Sequence, residues 1–292
     1  MSSEIQCVRA RDMIGDGLII IDKPCGHVSH GITAFVKKLL GAKRAGHAGT
    51  LDPEVSGVLP VAIGKATKLI GYIAGKRKKY VGIIKFKDRS ITNERIKELF
   101  KEFTGVITQT PPKESAVRKV PRKRTVYYFD FLERKDNLVL FAVEVEAGTY
   151  IRTLCEDIGK KCGGARMEEL RRIAVGRITE NEAVTLQDLI DAIWLYKKGK
   201  PETLLELIKK PEDYIDARKI IVRESAVKSI KSGAQLMAPG VKDVEKDIEK
   251  NEIVALYSES GMFVGMGKAL FGRDEILSRR RGIVVRIERM HL

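Results

Sequence analysis

Between Arg44 and Pro60 the chain reads Arg-Ala-Gly-His-Ala-Gly-Thr-Leu-Asp-Pro-Glu-Val-Ser-Gly-Val-Leu-Pro. Three glycines and Pro53 shape an irregular backbone around one short carboxylate, Asp52. Such a loop holds a side chain with little freedom, as a nucleophile or general base requires. On shape alone, Asp52 serves equally well as a cap or turn residue. The nearby Gly64-Lys-Ala-Thr is not a phosphate-binding loop, because Leu59 stands where its first glycine belongs and Ala66 follows the lysine. His27 and His30 have no Cys or carboxylate set beside them, so no metal site is expected there. Cys7, Cys25, Cys155 and Cys162 lack the two-residue spacing of zinc or redox motifs, and small buried hydrophobes in a reducing compartment are expected.

Charge points to the partner of this chemistry. The 292 residues carry 54 Lys and Arg against 39 Asp and Glu, a net +15. A polyanion, nucleic acid first, is the expected partner. Apolar runs such as Gly17 to Ile21 fall far short of a membrane span, and no secretory signal or basic amphipathic helix is visible. A cytoplasmic location follows as an expectation. Residues 214–292 hold 15 basic and 11 acidic side chains, so most of the excess lies before them. Two runs stand out: Lys76-Arg77-Lys78-Lys79, and Lys113 to Arg124, which contains Arg118, Lys119, Arg122, Lys123 and Arg124 with only Glu114 against them. A solvated face intersperses its signs, so phosphate contact is the favoured reading of both.

The elements that must position these residues follow from hydrophobic period. Gly17 to Lys23 reads as a buried strand stopped by Pro24 and Gly26. Ser29 is placed to cap a helix carrying Ile32, Phe35, Val36 and Leu39, ended by Gly41. Val58 to Ile63 is an apolar run, and Tyr80 to Phe86 reads as a strand. Thr92 or Asn93 opens a helix with Ile96, Leu99, Phe100 and Phe103 on one face. Val126 to Leu132 and Leu138 to Val145 form a hairpin around Asp136-Asn137. Thr153 to Gly163 and Met167 to Ile173 read as short helices. Thr185 opens another helix, and Pro201 sits in the first turn of a further one. From Tyr214 short β-rich runs alternate with Gly and Pro, which suggests a small barrel and a domain boundary near residue 213.

Gly46-His-Ala-Gly-Thr-Leu-Asp-Pro, Ser56-Gly-Val-Leu-Pro, Gly64-Lys-Ala-Thr-Lys, Lys79-Tyr80, Gln109-Thr-Pro-Pro and Glu146-Ala-Gly-Thr-Tyr-Ile-Arg-Thr-Leu occur in this order. Together they resemble the signature of the TruB/dyskerin pseudouridine synthases. The resemblance implies an α+β catalytic domain over residues 16–213, with a central, mixed and largely antiparallel sheet flanked by helices and loops. It implies conversion of uridine in RNA to pseudouridine without metal or cofactor. Asp52 matches the catalytic aspartate, which either attacks the anomeric carbon or takes the ribose C2′ proton. Arg152 matches its arginine partner, and Tyr80 the tyrosine that stacks on the target base. Tyr150, Leu170 and His47 are expected around the pocket, and Arg171 and Arg172 are expected to face RNA.

Ser232-Gly-Ala-Gln-Leu-Met-Ala-Pro-Gly-Val, Glu252-Ile-Val-Ala-Leu and Gly265-Met-Gly-Lys-Ala resemble the PUA domain, a small all-β RNA-binding barrel, here over residues 214–292. Gly233 is expected at the RNA approach, with Arg273 and Arg279-Arg280-Arg281 on phosphates. Pro111-Pro-Lys-Glu-Ser-Ala-Val runs into Thr125-Val-Tyr-Tyr without the insertion that covers RNA in guide-independent bacterial members. The compact form, ending soon after the barrel, resembles the archaeal dyskerin-like branch. That branch implies a box H/ACA guide RNA, substrate rRNA or tRNA, and small accessory proteins as partners, and no membrane. Residues 1–15 are expected as an extension packing on the barrel. Guide-independent modification of the tRNA T-loop and a non-catalytic RNA scaffold are the alternatives.

Overall fold

The computed structural model describes residues 15–112 and 117–290. The expected N-terminal extension therefore lies, but for Gly15, outside the described residues, as does Cys7.

The apolar runs of the first two-thirds of the chain assemble into one nine-stranded sheet. Its strands are β1 (Gly17–Lys23), β2 (Ala45–His47), β3 (Ser56–Ile63), β4 (Lys78–Phe86), β5 (Gly105–Gln109), β6 (Arg122–Lys135), β7 (Leu138–Val145), β8 (Ala165–Val175) and β9 (Ile178–Thr179). The order is β1-β3-β8-β4-β7-β6-β5, with β2 against β3 and β9 against β8. Every pairing is antiparallel except β3 with β8. β1 and β3 are buried on both faces, which explains their unbroken apolar sequence. β4 alternates strictly between buried and half-buried positions, because helices cover only one of its faces.

Those helices are Asn93–Glu102 and Ile151–Lys160. Ile96, Leu99, Phe100, Leu154, Cys155 and Ile158 pack on Ile84, Phe86, Phe141 and Val143. Phe100 and Phe129 stack with ring centroids 4.0 Å apart. The helices Ser29–Leu39 and Leu186–Lys197 close a second core over β1 and β3. Thr92 caps its helix through a hydrogen bond from Arg95 N, and Thr185 forms a capping box with Asp188.

Three local expectations are corrected. Met167 to Ile173 is not a helix but the middle of β8. Its Met, Glu, Leu and Arg favour helix, but β4 and β3 supply ladder partners on its two sides, and tertiary pairing overrides so weak a preference. Ser29 does not cap its helix. Val28 holds the cap position, and the serine hydroxyl is spent elsewhere. Cys25 is exposed rather than buried, whereas Cys155 is buried.

A second sheet contains β10 (Lys219–Val222), β11 (Leu236–Met237), β12 (Val241–Val244), β13 (Ile253–Ser258), β14 (Phe263–Ala269) and β15 (Ile283–Met290), in the order β11-β15-β14-β13-β10-β12. It curls around its own core of Ile220, Val222, Leu236, Val254, Leu256, Val264 and Val284, as a small barrel does. The position near residue 213 falls in the turn Pro211–Tyr214 between the two sheets. Leu69 packs with Ala255, Phe263 and Met266 across the junction. Tyr72 donates to Glu288 at 3.0 Å, and Lys68 to the Met290 carbonyl at 3.1 Å.

Candidate active site

The loop before β3 is pinned on both sides of Asp52. Ser29 Oγ donates to the Leu51 carbonyl and accepts from the Leu51 N–H, both at 2.8 Å. The Pro53 carbonyl accepts from Gly26 N at 2.8 Å and from Lys23 Nζ at 3.1 Å. The Cys25 thiol donates to the Glu54 carbonyl at 3.3 Å. Asp52 itself is exposed.

Opposite Asp52 stands Arg152, in the first turn of the Ile151–Lys160 helix. Its Nη2 donates to Asp52 Oδ2 and, at 2.8 Å, to Glu54 Oε1. The guanidinium restricts the rotamer of the aspartate. Tyr150, one residue before this helix, is fixed by Gln109. The buried amide of Gln109 accepts from Tyr150 N at 3.0 Å and donates to the Tyr150 carbonyl at 3.1 Å.

Beneath the loop, strand register builds the floor. Lys23 of β1 pairs with Gly57 of β3, Gly57 with Arg172 of β8, and Arg172 with Tyr80 of β4. Paired neighbours share a face of the sheet, so this single row carries two cations and the tyrosine. Arg172 is 1% exposed and donates to the Val58 carbonyl at 2.8 Å and the Gly49 carbonyl at 2.9 Å. The Tyr80 hydroxyl is within its hydrogen-bonding reach. Gly57 is required here. At φ +103° its backbone is left-handed, and a Cβ would lie 2.2 Å from the Arg172 carbonyl oxygen. Burial lowers the Lys23 pKa below that of an ordinary lysine, opposed by the negative charges of Glu54 and Asp52. Tyr80 and Leu170 join Leu51 and Val55 in one apolar cluster.

His47 bridges rather than projects. Its Nδ1 lies 2.9 Å from Thr33 Oγ1 and its Nε2 3.2 Å from Thr50 Oγ1. Burial pushes its pKa down, reinforced by the positive charge of Arg172.

The basic residues divide. Arg77, Arg118, Lys119, Lys123, Arg279, Arg280 and Arg281 are exposed, and Lys76, Lys79, Arg122, Arg124 and Arg273 are half-buried. Arg77 lies over the Tyr127 ring, 3.6 Å from its centroid. Gly233 is exposed with φ +96°. Two expectations are corrected. Arg172 is consumed inside the floor, and Lys78 is 5% exposed, its ammonium donating to the Ala74 carbonyl and, at 2.7 Å, to the Lys76 carbonyl. Neither faces RNA. Arg171 is paired in a fork with Asp22, at 2.9 and 3.0 Å, and with Glu180 at 2.8 Å. Sequence reasoning missed Glu54, Lys23, Ser29 and Asp22 as parts of the site. For Glu54 alone a signal was present, a second carboxylate two residues after Asp52.

The arrangement is that of an exposed carboxylate, oriented by a guanidinium, on a loop tied to a row of Lys23, Arg172 and Tyr80. Comparison with known proteins identifies the chemistry. Residues 37–151 match the N-terminal domain of TruB family pseudouridylate synthases, residues 152–215 the C-terminal domain of tRNA pseudouridylate synthase B, and residues 218–291 the PUA domain. A probable tRNA pseudouridine synthase B of Pyrobaculum aerophilum is 45% identical over 276 residues, 94% of this chain and 83% of that protein. The chain belongs to the TruB family. It is an RNA pseudouridine synthase, an isomerase of uridine in RNA. Another TruB relative, a probable tRNA pseudouridine synthase B of Methanocaldococcus jannaschii, is 41% identical over 97% of this chain and 85% of its own length. Among solved structures, the chain is similar to that of a Cbf5-Nop10-Gar1 complex, with TM-score 0.89 and 39% identity over 97% of this chain and 87% of that one. An H/ACA ribonucleoprotein bound to a substrate RNA containing 2′-deoxyuridine gives TM-score 0.87 and 36% identity, over 98% and 87% of the two chains.

Proposed function

We propose that this pseudouridine synthase works as the catalytic subunit of a box H/ACA guide RNA–protein complex, with Asp52, Tyr80 and Arg152 as its catalytic residues. The observation that supports guide dependence best is the near full-length likeness to Cbf5 in assembled H/ACA particles. The short path from Pro112 to β6 and the exposed Arg279-Arg280-Arg281 cluster on the barrel agree with it. In this reading guide pairing selects the uridine and the protein supplies shape readout and chemistry.

The target nucleotide leaves its stack, at a cost of a few kcal/mol, approximately, and its base lies against Tyr80. The Asp52 carboxylate acts on the ribose in one of two ways: it displaces N1 at C1′ and is itself displaced when C5 bonds there, or it takes the C2′ proton as the C1′–N1 bond breaks and returns it to C2′ when the C5–C1′ bond forms. The C1′–N1 bond breaks, the uracil turns within the pocket wall of Leu170 and Tyr150, and C5 bonds to C1′. C5 then loses its proton and N1 gains one, so the product is an isomer of the substrate. Arg152 keeps Asp52 aimed.

A second reading rests on the curated relatives, which are named probable tRNA pseudouridine synthase B. It is direct modification of tRNA without a guide. Pseudouridine is scored by chemical modification of substrate RNA with and without guide RNA and accessory proteins, and of bare tRNA transcript. Product that requires the guide supports the first reading, and equal product on bare tRNA establishes the second.

A further inference from the structure

The Arg152 guanidinium serves two carboxylates through one nitrogen. Nη2 carries two hydrogens. One goes to Asp52 Oδ2 and the other to Glu54 Oε1 at 2.8 Å. Glu54 is anchored for this task by its own backbone, because its carbonyl accepts from Cys25 and the preceding Pro53 carbonyl accepts from both Lys23 and Gly26. An exposed arginine held by a single acceptor still rotates about that bond. A second acceptor on the same nitrogen removes the rotation, and the arginine then presents one fixed edge to Asp52.

We propose that Glu54 is a positioning residue of the pseudouridine synthase reaction, acting on Asp52 through Arg152. The proposal rests on the reading of Asp52 as the catalytic carboxylate. Local charge explains why a second acid is tolerated on a surface that receives a polyanion. Lys23, Arg172 and Arg152 stand around the loop, more positive charge than Asp52 alone balances. Glu54 reduces that excess. Its carboxylate is half-exposed, so its contribution is that of a partly screened ion pair.

The test is single-turnover kinetics in whichever preparation, guided or bare, gives product. Glu54→Ala is expected to lower the rate about three- to tenfold at saturating RNA, with half-saturation unchanged or slightly improved. Glu54→Gln, which retains an acceptor oxygen, should recover part of that loss. In an Arg152→Ala background, Glu54→Ala should have no further effect, because the guanidinium through which it acts is gone. A parent-like rate for Glu54→Ala overturns the proposal. So does an equal loss in both backgrounds, which would mark a purely structural role for Glu54. Full activity of Asp52→Asn is a separate failure, that of the underlying catalytic reading.

Discussion

Arg172 on β8 stands beside Tyr80 on β4, and the same guanidinium holds the carbonyls of Val58 on β3 and of Gly49 in the Asp52 loop. Tyr80 and the Asp52 loop are therefore tied together by one buried side chain. Arg172→Met fills the space but leaves both carbonyls without their donor. A loss of about 2–4 kcal/mol is expected, read from denaturant unfolding. A variant as stable as the parent would show that the carbonyls find other partners.

Gly57 tests the same junction from the backbone side. Gly57→Ala must leave a left-handed conformation and clear the Arg172 carbonyl, so β3 and β8 have to separate. At least about 3 kcal/mol should be lost, with a lower Tm and lower activity together.

Asp52→Asn should reduce pseudouridine formation by at least about 10³-fold while RNA binding persists. Arg152→Ala should cost rate more than affinity. Equal losses in rate and affinity would instead assign Arg152 to clamping RNA.

Lys78 gives a pH signature. Burial, with Arg172 nearby, pushes its ammonium from an ordinary 10.5 down to about 8 in the folded protein. Between these values the unfolded chain binds more protons at this site than the folded one, so this lysine makes stability rise with pH across that window. The rise is of order 2 kcal/mol. Lys78→Met should remove it, visible as a flatter difference between urea midpoints at pH 7.5 and pH 10. An unchanged difference would mean that the lysine titrates normally.

On the barrel, Arg279 stacks on Phe271 at 3.5 Å while Arg280 and Arg281 are exposed. Neutralising all three to Gln should weaken guide RNA binding and flatten its dependence on salt, by roughly one unit of slope for each phosphate that is no longer neutralised. Unchanged affinity and slope would identify the cluster as solvated surface.

Much of this protein is local enough to read from its residues. Apolar runs marked β1, β3 and β4, Thr92 and Thr185 marked helix starts, and the ordered motifs around Asp52, Tyr80 and Arg152 carried the family. These features depend on neighbours within a few positions along the chain. The floor of the site does not. Lys23, Gly57, Arg172 and Tyr80 are separated by tens of residues and become one row only through the pairing of four strands. The same pairing made Met167 to Ile173 a strand and drew Arg172 inward from its expected place on the RNA surface. It was the fold of the Asp52 loop that took the Ser29 hydroxyl from its helix end to Leu51. Hydrogen-bond partners and burial are set by what lies across space, so a basic side chain's choice between phosphate and backbone carbonyl was decided only when the sheet closed.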